Sequence, residues 1–192
     1  MPVRKVDESL VFQLEVTLKE SKPPIWRRFQ VPGSLTLAQL HDALQIIMGW
    51  TDSHLHRFII NGHEFGRPDY EERFDENEAP LRDERRVRLA HLFAVVPSAF
   101  LYEYDYGDSW LHVIVVEWIM RATPGVHYPL CVEGERACPP EDVGGMSGYV
   151  EFLAAMRDRK HPDHRMMREW VGGTFDADAF DLQAVNQALK HL

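Results

Sequence analysis

The chain has 192 residues, 45% of them hydrophobic and 27% charged, a formal net charge of −9 and two cysteines. That length and composition suit one globular domain and exclude a wholly disordered chain. The charge disfavours wholesale contact with nucleic acid or an acidic membrane, two cysteines make no disulfide framework, and no apolar run approaches the ~20 residues of a membrane helix.

Residues 1–8 hold no apolar leader segment, so the expectation is a reduced, cytoplasmic protein. Phe12, Leu14, Val16 and Leu18 alternate with Gln13, Glu15 and Thr17, which predicts a half-buried strand over 11–18. Pro23-Pro24 breaks it, and residues 25–31 alternate again. Arg27 shares the apolar face of that second strand with Ile25, Phe29 and Val31. A buried cation needs a partner, and Asp105 or Glu103 is the expected one. Thr36 and Gln39 have capping-box spacing, and Leu37, Leu40, His41, Leu44, Ile47 and Met48 make a helical stripe that Gly49 is placed to end.

Residues 54–60 read as a strand, turned by Asn61-Gly62 into His63-Glu64-Phe65. Residues 69–86 hold eight acidic and four basic side chains and read as a solvated loop insertion. Val87 and Leu89 suggest a short strand, and residues 90–95 a helical turn. Residues 99–105 and 110–118 form a second predicted hairpin, with Trp110, His112, Ile114, Val116 and Trp118 on one face. Tyr128 to Val132 adds a strand, and residues 134–145 a loop held by Pro139-Pro140. Helices follow around Tyr149–Met156, Pro162–Trp170 and after Asp181. Strands first and helices last indicate a single α+β domain over 1–192, with a mostly antiparallel or mixed sheet. It has a ubiquitin-like ββαβ start and C-terminal helices packed on the sheet.

Three clusters carry groups that do chemistry. The first is the turn Tyr104-Asp105-Tyr106-Gly107-Asp108-Ser109-Trp110-Leu111-His112. Its two carboxylates and imidazole suit acid–base or metal chemistry, and the same aspartates also suit turn capping. The second is Asp52-Ser53-His54-Leu55-His56, whose histidines at i and i+2 on a strand would share a face. Two ligands are too few for zinc, but His112 or Asp105 facing them would complete a set. The third is Cys131 to Gly145, where C-x6-C is no zinc knuckle and reads as two inert thiols or, if they approach, a redox pair, while Glu141 and Asp142 beside a Gly-Gly pair suit either a site border or the cap of the helix that follows. The candidate catalytic residues are thus Asp105, Asp108, His112, Glu141 and Asp142. The candidate metal ligands are His54, His56, Asp105 and His112, for a divalent ion. No Walker A, G-x-S-x-G, H-E-x-x-H or Rossmann glycine motif is present.

Taken together, Pro24-Ile25-Trp26-Arg27-Arg28, Gly49-Trp50-Thr51-Asp52-Ser53-His54-Leu55-His56, the turn motif and Cys138-Pro139-Pro140-Glu141-Asp142-Val143-Gly144-Gly145 resemble the plasmid pRiA ORF-three-like family. So does the ending Trp170-Val171-Gly172-Gly173-Thr174-Phe175-Asp176. Some members of that family carry an insertion-element passenger, TnpR-like label. The resemblance implies an α+β domain of unassigned biochemical function and an association with mobile elements, and no recombinase activity is carried over. The sequence then leaves three functional readings. One is a binding domain for a protein or small molecule, with a cleft between the 105–112 turn and the 139–145 loop and aromatic walls from Tyr102, Tyr104, Tyr106 and Trp110. The second is a metal-dependent hydrolase with His54, His56, His112 and Asp105 as ligands and Asp108 or Glu141 as base. The third is a nucleic-acid accessory protein using Arg27 and Arg28.

Overall fold

Alternation in the first thirty residues folds into an antiparallel pair, β1 (Leu10–Leu18) and β2 (Trp26–Pro32), with Leu14 opposite Phe29 and Phe12 opposite Val31. The computed structural model describes residue 7 and residues 9–68, 81–93 and 97–192. The elements that follow are α1 (Leu37–Met48), β3 (His56–Ile60), β4 (His63–Gly66) and β5 (Arg82–Asp83), a 3-10 turn over Glu84–Arg86, then α2 (Leu89–Leu92) and β6 (Ser98–Tyr104). The chain ends with β7 (Trp110–Arg121), β8 (Leu130–Glu135), α3 (Gly145–Arg157), α4 (His164–Trp170) and α5 (Leu182–Leu189). Among the described residues eight strands form one sheet in the order β5-β4-β3-β6-β7-β1-β2-β8. Every neighbouring pair is antiparallel except β4 with β5. The ββαβ opening is present in chain order, with β6 and β7 lying between β3 and β1 in space. No described helix is long and apolar enough to cross a membrane.

Helix α1 forms where the capping box places it. The Thr36 hydroxyl accepts from Gln39 N, the Gln39 side chain returns to Thr36 N, and Gly49 closes the helix at φ 101°. Leu37, Leu40, Leu44 and Ile47 are buried against inward residues of β1, β2, β6 and β7. Each contributes about 1.5–3 kcal/mol of burial. The C-terminal helices complete this layer, with α5 against β8 and α1 and α3 against α4. The opposite face of the sheet is half-exposed. There Arg28 pairs with Glu15, Glu117 and Glu133 at 2.5, 2.8 and 2.8 Å.

Four expectations change. Arg27 is buried, at 1% exposure, but meets no carboxylate. Its guanidinium donates to the carbonyls of Ile47, Trp26, Glu135 and Arg136 and stacks on Phe180 at 4.0 Å. Glu103 instead pairs with Arg57. Trp118 is 62% exposed, because Val116 faces Leu14 while Trp118 faces Gln13. The extra residue between them, Glu117, is a β-bulge that inverts the alternation. The 87–89 strand is a single bridge from Arg88 to Thr36, followed directly by α2. The acidic stretch is not all solvated loop: residues 69–80 lie outside the described residues, but 81–86 fold onto the sheet and bury Glu84 to 1%.

Candidate metal centre

The site is built where three loops meet at one end of the sheet. Residues 50–55, leaving α1, are sewn to α1 and to the end of β6: Asp52 N donates to Gln45 Oε1, Ser53 N to Tyr104 Oη, and Asp105 N to Leu55 O. The 105–109 turn is closed by Ser109 N on Asp105 O and by Gly107 N on Asp105 Oδ1. The 139–145 loop is pinned to that turn, because Asp108 Oδ2 accepts from Gly144 N at 3.0 Å. Gly145 packs against the same turn, where a Cβ would lie 2.6 Å from Asp108 O.

These loops converge on His54. Its Nε2 lies 3.2 Å from Asp142 Oδ1 and 3.7 Å from both Asp105 Oδ2 and Glu141 Oε2. That nitrogen is buried and has no hydrogen-bond partner, and Glu141 Oε2 is likewise buried and unpartnered. A buried polar atom left unpaired costs about 1–3 kcal/mol, and in a native site such an atom calls for an ion or water. The other oxygen of Glu141 is saturated. Glu141 Oε1 accepts from Thr51 N at 2.8 Å, Thr51 Oγ1 at 2.9 Å and Tyr104 Oη at 3.2 Å. Three donors on one oxygen fix the carboxylate so that Oε2 turns toward His54. Burial raises the Tyr104 pKa, so its hydroxyl remains a donor at neutral pH. His54, Asp105 and Asp142 bring three ligand atoms within 4.8 Å of one another. One imidazole with hard carboxylate oxygens suits Mn2+ or Zn2+.

The structure divides the residues that the sequence singled out. His54, Asp105, Glu141 and Asp142 come together. Asp105 serves both readings at once, one oxygen capping its turn and the other facing His54. Asp108 is tied to the Gly144 amide and positions the loop. His56 separates from His54, because β3 begins only at His56 and the preceding loop bends at Asp52, φ 53°. The His56 Nε2 lies 2.8 Å from Glu84. His112 sits in the core against Tyr102 and Trp50, with no hydrogen-bond partner on either ring nitrogen and no carboxylate. Burial pushes its pKa down to about 4. Tyr102, Tyr104 and Trp110 are fully buried and cannot wall an open recognition cleft, whereas Tyr106 is exposed. Arg27 and Arg28 are both engaged within the protein, so neither is free for phosphates. Cys131 and Cys138 are free thiols, and burial raises both pKa values, Cys131 to about 11.

Sequence reasoning missed Thr51 and Glu84 as polar anchors. Thr51 acts through its own loop amide, and Glu84 stood in a run that looked solvent-bound. Outside the ionic cluster, Asp142 also borders an apolar cavity of about 210 Å³ lined by Val143, Met166, Met167 and Trp170.

The comparisons agree with this architecture. A protein of Sinorhizobium fredii (strain NBRC 101917 / NGR234), named uncharacterized protein y4hQ, is 40% identical over 186 residues, covering 95% of this chain and 92% of that protein. The crystal structure of MM3350, a protein of unknown function from Methanosarcina mazei Go1, superposes with a TM-score of 0.81 at 36% identity, covering 91% of this chain and 96% of that one. The family described as plasmid pRiA4b ORF-3-like protein matches residues 10–184. With nearly its whole length matched, the chain belongs to the plasmid pRiA4b ORF-3-like family.

Proposed function

We propose that this protein is a divalent-metal-dependent hydrolase acting on a neutral carbonyl compound, an ester or amide with an apolar group. The reading rests on one observation: His54 Nε2 and Glu141 Oε2 are buried, unpartnered and turned toward Asp105 and Asp142. His54, Asp105 and Asp142 would hold the ion. Asp142 is 71% exposed, so an ion held there would be reachable by water and substrate, as a catalytic site requires. The ion would supply acidification of a bound water toward a pKa of about 7. Glu141, locked through Oε1 by Thr51 and Tyr104, is placed to take a proton on Oε2.

Two features favour a carbonyl over a phosphate. No Lys or Arg pairs with Asp105, Glu141 or Asp142 among the described residues, so the ion would have to balance a phosphate dianion without help from a described cation. The cavity beside Asp142 is lined by Val143, Met166, Met167 and Trp170 and suits an acyl or aromatic group. The test uses tag-free protein stripped with chelator and reloaded with Mn2+ or Zn2+, assayed on a series of acyl esters. Glu141→Gln should retain the ion and lose hydrolysis. His54→Ala and Asp105→Asn should lose the ion. Wild-type protein that takes up neither ion refutes the reading.

A further inference from the structure

Helix α4 is anchored at both ends and carries an indole and two thioethers beside the ionic cluster. At its start His164 Nδ1 lies 2.8 Å from Ala155 O, which ties α4 to α3. At its end Gly173 N donates to Arg168 O and Gly172 N to Glu169 O, a Schellman motif with Gly172 at φ 79°. Met166 and Trp170, four residues apart, share one side of the helix, and Met167 packs on the core. Trp170 is 47% exposed but braced: Phe152, itself fully buried, lies 5.8 Å from it with the rings at 73°, and Phe175 lies 5.2 Å from Phe152. The indole is therefore fixed from one side while nearly half of it stays open.

These three side chains, with Asp142 and Val143 of the 139–145 loop, line the cavity of about 210 Å³. An aliphatic-walled cavity of about 150 Å³ takes up benzene, so this one has room for a six-membered ring. The walls select the kind of ring. A saturated group gains from them by its buried area. An aromatic ring gains in addition from offset or edge-to-face contact with the indole and from the methionine sulfurs, which are attracted to a ring edge. Methionine is also unbranched and adapts to a flat shape. Asp142 belongs to the cavity wall and to the cluster around His54 alike, so a ring seated in the cavity leaves the group attached to it on the side of that cluster.

We infer that the cavity is an aromatic-ring site, that the substrate is an aryl-bearing ester or amide, and that Met166, Met167 and Trp170 determine this specificity. The identity of the reaction rests on the hydrolase reading, whereas the ring site is built without the ion.

The first experiment needs no metal. The tag-free full chain, labelled with 13C in its methionine methyls, is titrated with phenylacetamide and with cyclohexylacetamide, a saturated ring of the same carbon count. The signals of Met166 and Met167 are assigned through Met166→Leu and Met167→Leu. Phenylacetamide should move both and bind about fivefold tighter than cyclohexylacetamide, although the saturated ring is the more hydrophobic. Trp170→Leu should bring the two affinities together, with the signal of buried Met48 unchanged as the check on folding. The second experiment uses protein loaded with Mn2+ or Zn2+. Methyl phenylacetate or benzyl acetate should exceed its cyclohexyl counterpart about fivefold in kcat/KM, and Trp170→Leu should erase the difference. Equal or reversed amide affinities in wild type, or Met166 and Met167 signals that neither amide moves, overturn the aromatic site. Ester hydrolysis without preference for the aromatic ring overturns it too and leaves the hydrolase reading in place. Preferential phenylacetamide binding by a chain that takes up no ion supports the aromatic site and refutes the hydrolase.

Discussion

Arg27→Leu should destabilise the fold by roughly 3–5 kcal/mol although no ion pair is lost. The side chain is 1% exposed. Its Nε donates to Ile47 O at 3.1 Å, Nη1 to Trp26 O at 2.8 Å and Glu135 O at 2.6 Å, and Nη2 to Arg136 O at 2.6 Å. The Ile47 carbonyl belongs to the last turn of α1, where the helix dipole favours a cation. Four hydrogen bonds from a charged donor, at about 1.5–3 kcal/mol each, exceed the several kcal/mol needed to desolvate the guanidinium. Leucine removes all four donor contacts and deprives carbonyls of α1, β2, the end of β8 and the residue after it of the Arg27 donor. Lysine should fall between, since an ammonium lacks the planar fork. Arg28 is the internal control. It contacts three carboxylates but is 26% exposed, so Arg28→Leu should cost about 1 kcal/mol. Urea unfolding followed by far-UV circular dichroism, analysed with a common m-value, measures both. If Arg27→Leu stays within about 1 kcal/mol of wild type, or Arg28→Leu proves the costlier change, the carbonyl cage does not hold the fold.

Two further outcomes follow from buried groups. Burial holds the His112 pKa at about 4 in the folded chain, against about 6.5 unfolded. Between those values the unfolded chain takes up a proton that the folded chain refuses, so stability falls as pH drops from 6.5 to 4 and is level above 6.5. The loss is about 3 kcal/mol, and His112→Leu should abolish it; parallel stability profiles of the two proteins over this window would contradict the assignment. Gly134→Ala should cost about 1–3 kcal/mol by overpacking, because a Cβ there would lie 2.6 Å from Arg27 Cδ, 2.9 Å from Phe180 Cε1 and 2.9 Å from Trp26 O. Equal midpoints in urea for Gly134→Ala and wild type would show that β8 can move away from Arg27.

Much of the architecture was legible because it rests on local pattern. The capping box at Thr36, the left-handed Gly49 and the Asn61-Gly62 turn are short-range signals, and each lies where the spacing places it. Alternation located β1, β2, β6 and the first half of β7, and failed at Glu117, where one inserted residue inverts every later side chain. Arg27 shows a different limit. Its burial could be read from alternation, but its partners are backbone carbonyls, which leave no mark in the side-chain sequence. At the site, the residue types were legible and the pairing was not. His54 and His56 are two apart in sequence and serve different clusters, while Glu141 and Thr51 are 90 apart and share three hydrogen-bonding atoms. Glu84 could not be told from its acidic neighbours, since only tertiary packing separates a solvated carboxylate from one locked beside an imidazole.

One aspartate in each of the three site loops shares a backbone feature that bears on how these residues should be tested. Asp52, Asp105 and Asp142 have φ of 53°, 59° and 56°. For most residues the left-handed region costs about 1–2 kcal/mol, and Asp and Asn are among the few that visit it routinely. Each bend turns a loop sharply enough to aim a carboxylate at a histidine across a gap that an extended segment would overshoot. Aspartate is therefore suited to these positions twice, by backbone and by charge, and an alanine variant would remove both at once. Asparagine and glycine separate the two roles. Asn keeps the left-handed bend and the shape while removing the charge, and glycine keeps the bend and removes the side chain. Were the three aspartates present only for their backbone, both variants at Asp142 would match wild type in stability and in metal uptake. As a ligand, Asp142 requires both variants to fold as well as wild type and to lose the ion, whereas Asp142→Ala loses stability in addition. The difference between alanine and asparagine at one exposed position thus measures the bend, and the difference between asparagine and aspartate measures the ligand.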